Sequence, residues 1–308
     1  MIDTVTFAPA LDYALWLPHI QPGATNRAEQ TRLTVGGKGV NVSILLTRLG
    51  VPTRCLGFAA GFVGQEIVRR LDQDGICQEL LMLPEGVSRI NVKLKSDTET
   101  EINANGPAIS PEAMERLMKQ LSRLGSEDTL VLSGKPPAEC GDDLYRRIME
   151  RLAPAGVRVV VDAAGDLLRN VLPMKPWLIK PNRDELEKLA GRPLPTQREL
   201  IQEGQALRRM GAQQVLISLG GDGAILVCGD GVFTCGTPQG TLRNSTGAGD
   251  SMVAGFLAAR QQGLSPAQSL RFAVAAGSAS AFAWDLATAG EIADLLPSVP
   301  AVKEIETR

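Results

Sequence analysis

The chain has 308 residues, 44% hydrophobic and 21% charged, with 32 lysines and arginines against 34 aspartates and glutamates, for a formal net charge of -2. This is ordinary globular composition near the ~250–300 residues where a single core stops growing, so one domain over 1–308 is expected. Near-neutral charge argues against nucleic acid or an anionic membrane as partners, and no apolar stretch approaches the ~20 residues of a membrane span.

The N-terminus "MIDTVTFAPALDY" lacks the basic segment and long apolar run of a secretory leader. Five scattered cysteines form no CxxC pair, which fits a reduced, cytoplasmic protein with free thiols. There is one histidine, His19, in a turn-like stretch after a proline. Histidine-based triads and multi-histidine metal sites therefore have almost nothing to work with, and an enzymatic base is expected to be a carboxylate.

In chain order, "TVTFA" (4–8) reads as a strand. The stretch 11–35 alternates polar and apolar residues without a helix and predicts antiparallel strands with one wet face. "TVGGKGVNVSILL" then sets Gly36, Gly37 and Gly39 before a helix over 39–50 that carries Asn41, a poor helix former. "TRCLGFA" predicts a strand and "GQEIVRRLDQDG" a helix. The stretch 88–105 repeats the alternating, helix-free pattern of 11–35. "SPEAMERLMKQLSRLG" predicts a helix with Ser110 at the N-cap and Pro111 at N1.

Four apolar runs of strand length follow, "DTLVLSG", "VRVVVDAAG", "WLIKPN" and "QQVLISLGG". Buried parallel strands look like this. Strands alternating with helices predict an α/β fold, a mainly parallel sheet covered on both faces. The two alternating stretches would form a small β-sheet lid over the crevice at the carboxyl ends of its strands.

Two junctions in the C-terminal half have competing readings. In "KPNRDE", Asn182 and Glu185 stand three apart at a helix start, which suits a plain capping box or a ligand role, and the two can coexist. In "SLGGDG", Ser218, Gly220 and Gly223 are accounted for by a tight hairpin without any ligand. "NSTGAGDSMVAGF" is neither GxGxxG nor a P-loop. Its Gly247, Ala248 and Gly249 leave the first amides of a helix bare, a site for phosphate or a developing oxyanion. Asp250 in the first turn either offsets the helix dipole, worth under about 1 kcal/mol, or serves chemistry beside those amides.

Together "GGKGVN", "SRINVKL", "KPNRDE", "SLGGDG" and "STGAGDSMVAGF" occur in the order seen in the PfkB sugar-kinase family, of ribokinase-like fold, and cover nearly the whole chain. With "PALDY" and "TEIN", the chain most resembles the 1-phosphofructokinase and tagatose-6-phosphate kinase branch. The resemblance implies ATP-dependent phosphorylation of a ketohexose monophosphate to a bisphosphate. It implies Asp250 as catalytic base and the amides of Gly247, Ala248 and Gly249 as anion hole. Asn182 and Glu185 would organise Mg²⁺ and phosphate through water, and Ser218, Gly220 and Gly223 would line the nucleotide. Asp12, Gly37 and Asn41 would bind sugar hydroxyls. Arg89 would grip the substrate's phosphate, helped by Lys38 and Arg27. The resemblance also implies a homodimer through the lid, and K⁺ at a loop after "AAGSA".

Three segments depart from the family pattern. "SGKPPAE" (133–139) is shorter and brings Lys135, either a phosphate contact or a solvated loop lysine. "DAAG" (162–165) loses a hydroxyl, and "FAWDLATAG" (282–290) has no glycine before Gly290. The alternatives are a kinase of a neutral sugar or nucleoside on the same fold, and a non-catalytic sugar-phosphate sensor.

Overall fold

The computed structural model describes residues 1–306. Its strands are β1 (Ile2–Thr6), β2 (Ala10–Trp16), β3 (Gln30–Gly36), β4 (Thr53–Ala60), β5 (Gln78–Leu83), β6 (Arg89–Lys95), β7 (Thr100–Ile102), β8 (Thr129–Ser133), β9 (Arg158–Asp162), β10 (Leu178–Ile179), β11 (Val215–Ser218), β12 (Ala224–Cys228), β13 (Gly231–Cys235) and β14 (Lys303–Glu304). The helices are α1 (Lys38–Arg48), α2 (Gly61–Gln73), α3 (Pro111–Leu121), α4 (Leu144–Leu152), α5 (Asp166–Val171), α6 (Arg183–Ala190), α7 (Gln197–Arg209), α8 (Ala248–Gln261), α9 (Pro266–Phe282) and α10 (Ala289–Leu295).

Ten strands form one sheet in the order β14-β13-β12-β11-β10-β9-β8-β1-β4-β5. It is parallel from β11 to β5 and antiparallel from β11 outward to β14. The apolar runs explain the parallel part. Leu130 and Leu132 of β8 face one core with helices α3 to α7, while Val131 between them faces the other with α1, α8 and α9. A strand buried on both faces needs apolar residues at every position. α3 starts with the expected cap, Ser110 accepting from the Ala113 amide, with Pro111 at N1.

The stretches 11–35 and 88–105 do form a separate four-stranded sheet, in the order β3-β2-β6-β7. One expectation is corrected here. β2 pairs antiparallel with β3, but parallel with β6, Asp12 lying opposite Asn91. Alternation reveals which residues share a face but not strand direction, and a long excursion through the main sheet separates β3 from β6. The loop 17–29 between β2 and β3 carries His19, which is exposed and 3.1 Å from Asp97, as expected of a loop residue. Among the described residues no helix is long and apolar enough to cross a membrane.

Candidate active site

The carboxyl ends of the parallel strands and one face of the small sheet enclose a cleft of about 1300 Å³. A single small-molecule site occupies roughly 300–1,000 Å³, so the cleft has room for two ligands side by side. A second cavity, of about 330 Å³ and lined by Arg158, Lys175 and Trp177 among others, shares no residue with it.

The body wall of the cleft is built on two helix starts. α8 begins at Gly247, with φ +82 and no side-chain cap. An L-residue there would be strained, and its Cβ would sit 2.6 Å from Leu286 Cδ2. α1 begins at Gly37, φ 127, also uncapped. α8 therefore presents bare amides and the positive end of its dipole to the cleft, a ready anion site, whereas in the first turn of α1 the Val40 amide already donates to Thr6 Oγ1 at 2.9 Å. Asn41 on α1 donates from Nδ2 to Asp250 Oδ2 at 2.8 Å, joining the two helices.

Asp250 is buried, and the loss of water pushes its pKa up to about 6, with the charge of Asp162 adding to the effect. Lys38, Asn41 and Lys180 pull the other way. Asp162, the last residue of β9, is as deeply buried but differs in partners. Burial opposes its charge, yet Lys180 and Lys38, each at 3.3 Å, outweigh it and hold its carboxyl below the usual range. Asp250 in the wall and Asp162 buried behind it are thus separated in acidity, the pattern that marks acid–base chemistry.

The other wall is the inner face of the small sheet. Arg89, Asn91 and Lys93 lie at alternate positions of β6 and all line the cleft, with Asp12 opposite on β2. Lys93 Nζ is 2.9 Å from Asp12 Oδ2, and Asn91 Nδ2 donates to Asp12 Oδ1 at 2.8 Å.

Of the residues singled out from sequence, Asp12, Gly37, Lys38, Asn41, Arg89, Asn182, Ser218, Gly220, Gly247, Ala248, Gly249 and Asp250 all line this one cleft. Three do not. Arg27 is exposed on the 17–29 loop. Gly223 closes the β11–β12 hairpin with φ +94. Glu185 is spent on a capping box, its Oε2 accepting from the Asn182 amide at 2.9 Å while Asn182 Oδ1 accepts from the Glu185 amide at 2.8 Å. Lys135 is exposed and lies outside the cleft lining.

Sequence reasoning missed Lys180, Asp162, Asn91 and Lys93 as site residues. The last two were discoverable, because Arg89, Asn91 and Lys93 repeat every second residue, the period of one strand face. It also missed the segment 237–242, which forms the far rim of the cleft next to Phe282.

The sequence pattern of the pfkB family carbohydrate kinases matches residues 5–285. The chain is 40% identical to the 1-phosphofructokinase of Bacillus subtilis over 299 residues, 97% of this chain and 98% of that one. It is 34% identical to the D-tagatose-1-phosphate kinase of Bacillus licheniformis over 283 residues, 92% and 93% of the two chains. Among solved structures, Escherichia coli phosphofructokinase-2 in complex with fructose-6-phosphate superposes with a TM-score of 0.90 at 26% identity, covering 96% of this chain and 98% of that one. The same enzyme has been solved in complex with potassium, also with a TM-score of 0.90 at 26% identity and the same coverage. These likenesses agree with the ribokinase-like α/β architecture. The chain belongs to the pfkB family of carbohydrate kinases, on its 1-phosphofructokinase and tagatose-phosphate kinase branch, and is a carbohydrate kinase of the phosphofructokinase type.

Proposed function

We propose that the protein transfers the terminal phosphoryl group of ATP to a hydroxyl of a ketohexose monophosphate, giving a bisphosphate, with fructose 1-phosphate the leading substrate. The observation that carries this reading is Asp250. It is a buried carboxyl with pKa raised to about 6, at the uncapped start of α8 and 2.8 Å from Asn41. Above that pH it is ionised and can accept a proton. The substrate hydroxyl gives its proton to Asp250 as its oxygen bonds to the terminal phosphorus. The bond from that phosphorus to the bridging oxygen breaks, and ADP leaves with the electron pair. The amides at 247–249 face the charge that develops on the phosphoryl oxygens.

Arg89 across the cleft supports a substrate already carrying phosphate, because a neutral sugar gives a guanidinium no partner. The names of the relatives favour fructose 1-phosphate or tagatose 1-phosphate.

Among the described residues no three His, Cys, Asp or Glu side chains cluster as a metal cage. That suits Mg²⁺, which keeps most of its waters and arrives on nucleotide phosphates. Asn182 and Glu185, fixed in their mutual cap, would meet it through water. When bound, the ion supplies charge neutralisation on the phosphates.

The outer face of the small sheet carries Tyr13, Leu15, Val92 and Leu94, partly buried, with Ile90 40% and Ile102 57% exposed. We read it as the face that pairs two copies lid to lid.

ADP release across ketohexose monophosphates and free sugars tests the activity, and light scattering on the same sample tests the dimer. Asp250→Asn is expected to lower kcat by about 10²- to 10⁴-fold while nucleotide binding persists. A fully active Asp250→Asn enzyme sinks the mechanism, and a monomer sinks the pairing.

A further inference from the structure

Resting on that reading, we infer that Lys93 and Asn91 are sugar-recognition residues, with Lys93 a positioning residue that acts through Asp12 and Asn91 a direct contact to a substrate hydroxyl. The groups are on the lid wall, and all three are deeply buried. Asp12 is 9% exposed, Asn91 6% and Lys93 8%. A lysine and an aspartate this deep are almost never found unless paired, and here each is the other's partner at 2.9 Å.

The strand register explains why the pair forms. Asn91 lies directly opposite Asp12, and Lys93 lies opposite Ala14, one step further along the same face. The small Ala14 leaves Lys93 room to reach back along the diagonal to Asp12. On the other side, Gly36 of β3 has no side chain, and a Cβ there would run into the Asp12 carboxylate. Asp12 is thus fixed from three directions. Lys93 holds Oδ2, Asn91 holds Oδ1, and Gly36 clears its place.

The orphaned atoms give the direction of use. A carboxylate only accepts, so the Asn91 amide must turn its nitrogen to Asp12, and its oxygen then points elsewhere. That Asn91 Oδ1 is buried and has no hydrogen-bond partner, and neither does Arg89 Nε next to it on the same strand face. Buried polar atoms left unpaired are costly. Both belong to residues that line the cleft, where a ligand can satisfy them.

The wall therefore presents acceptors, the remaining lone pairs of Asp12 and the oxygen of Asn91, beside the cationic donor Arg89. Its complement is a ligand with hydroxyl donors next to an anionic group, a polyol phosphate. Lys93 does not meet the phosphate in this scheme. Its ammonium is spent on Asp12, balancing that carboxylate's charge and fixing its orientation toward the cleft.

A double-mutant cycle on the full-length protein separates these roles. Affinity for fructose 1-phosphate is measured by isothermal titration for wild type, Lys93→Met, Asp12→Asn and the double variant, with a non-hydrolysable ATP analogue as control. Each single variant is expected to lose about 10- to 100-fold in sugar-phosphate affinity, the range for hydrogen bonds to charged groups. ATP-analogue affinity stays unchanged, and Lys93→Arg recovers part of the loss. The double variant binds no worse than Asp12→Asn, because the neutral amide that replaces the carboxylate needs no counter-ion. A double variant whose loss is the product of the two single losses shows Lys93 acting independently and overturns the positioning role, as does a Lys93→Met protein of wild-type affinity.

If Lys93→Met does not fold, Asn91→Ala carries the test. It is expected to cost at least about 10-fold in fructose 1-phosphate affinity with the ATP analogue still bound, and an unchanged affinity overturns the inference. A wild-type protein that phosphorylates no ketohexose monophosphate overturns the functional reading instead, so the two failures are distinguishable.

Discussion

The wall of the cleft formed by the ten-stranded sheet and the wall formed by the four-stranded sheet are both polar, yet they are assembled differently. The body wall takes one residue from each of several elements, Asn41 from α1, Lys180 just after β10 and Asp250 from α8, with Asp162 from the end of β9 fully buried behind them. Its charges are crowded and unequal. Asp250 is driven up to about 6 while Asp162, equally buried, is held low by two lysines. The lid wall takes its residues from alternate positions of two paired strands, and its one buried carboxylate is neutralised directly by Lys93. Strain in charge belongs where a proton must move, and fixed complementarity belongs where a ligand must be recognised.

The largest expected effect that separates the walls comes from backbone. Gly247→Ala forces an L-residue to φ +82 and drives a methyl to 2.6 Å from Leu286 Cδ2. The amides at the start of α8 must then shift. Losing one such donor typically costs about 10²- to 10³-fold in kcat, so we expect a fall of that size with sugar-phosphate affinity nearly unchanged. Steady-state kinetics and titration on one preparation check it. Equal losses in turnover and in sugar binding would break the division between a chemical wall and a recognition wall.

The second effect is a shift rather than a loss. Asp250 accepts a proton only when ionised, so kcat should fall as the pH drops through about 6. After burial, the charge of Asp162 is the next cause that raises this pKa, while Lys38 and Lys180 lower it. Asp162→Asn removes the raising charge and frees both lysines to act on Asp250 alone. The acid limb of the kcat profile should therefore move to lower pH, the residual activity at neutral pH serving as its own reference. A limb that stays put, or moves up, refutes the coupling of the two acids.

These two walls also differ in how far the sequence revealed them. The small sheet was visible because alternation over 11–35 and 88–105 has only one structural solution, a half-wet sheet. The same period places Arg89, Asn91 and Lys93 on one face. Its strand direction was hidden, because parallel pairing of β2 with β6 depends on the path of the chain between them. On the body wall, Asp250 could be read because glycine-rich backbone before a helix start has a local meaning. Asp162 and Lys180 could not. Each ends a different apolar strand, and only the order β8-β9-β10 makes them neighbours. Asn182 and Glu185 show the opposite case, since a capping box accounts fully for the hydrogen bonds they make. Local rules identified the cap and could not say whether it also meets a ligand.

The smallest effect concerns the joint between the walls, which falls in the segment 282–290 that departs from the family pattern. Trp284, half exposed, meets Trp16 of β2 edge to face with ring centroids 6.2 Å apart, and Arg243 lies 5.4 Å from the Trp284 ring centre. Thr246, just before Gly247, adds a 3.3 Å hydrogen bond to Glu101 at the end of the small sheet. An aromatic pair of this kind contributes about 0.5–1.5 kcal/mol beyond its buried area. If the joint holds the lid wall over the body wall, Trp284→Ala should raise the KM for fructose 1-phosphate by roughly 2- to 12-fold, that energy expressed as affinity. The kcat at saturation should barely change, because no residue of the body wall loses a partner. Trp284→Phe should fall between the two, since a smaller ring keeps the edge-to-face contact. A loss confined to kcat would instead tie Trp284 to the chemistry, and an unchanged KM would mean that the small sheet keeps its position over the cleft through β2, β3 and α2 alone.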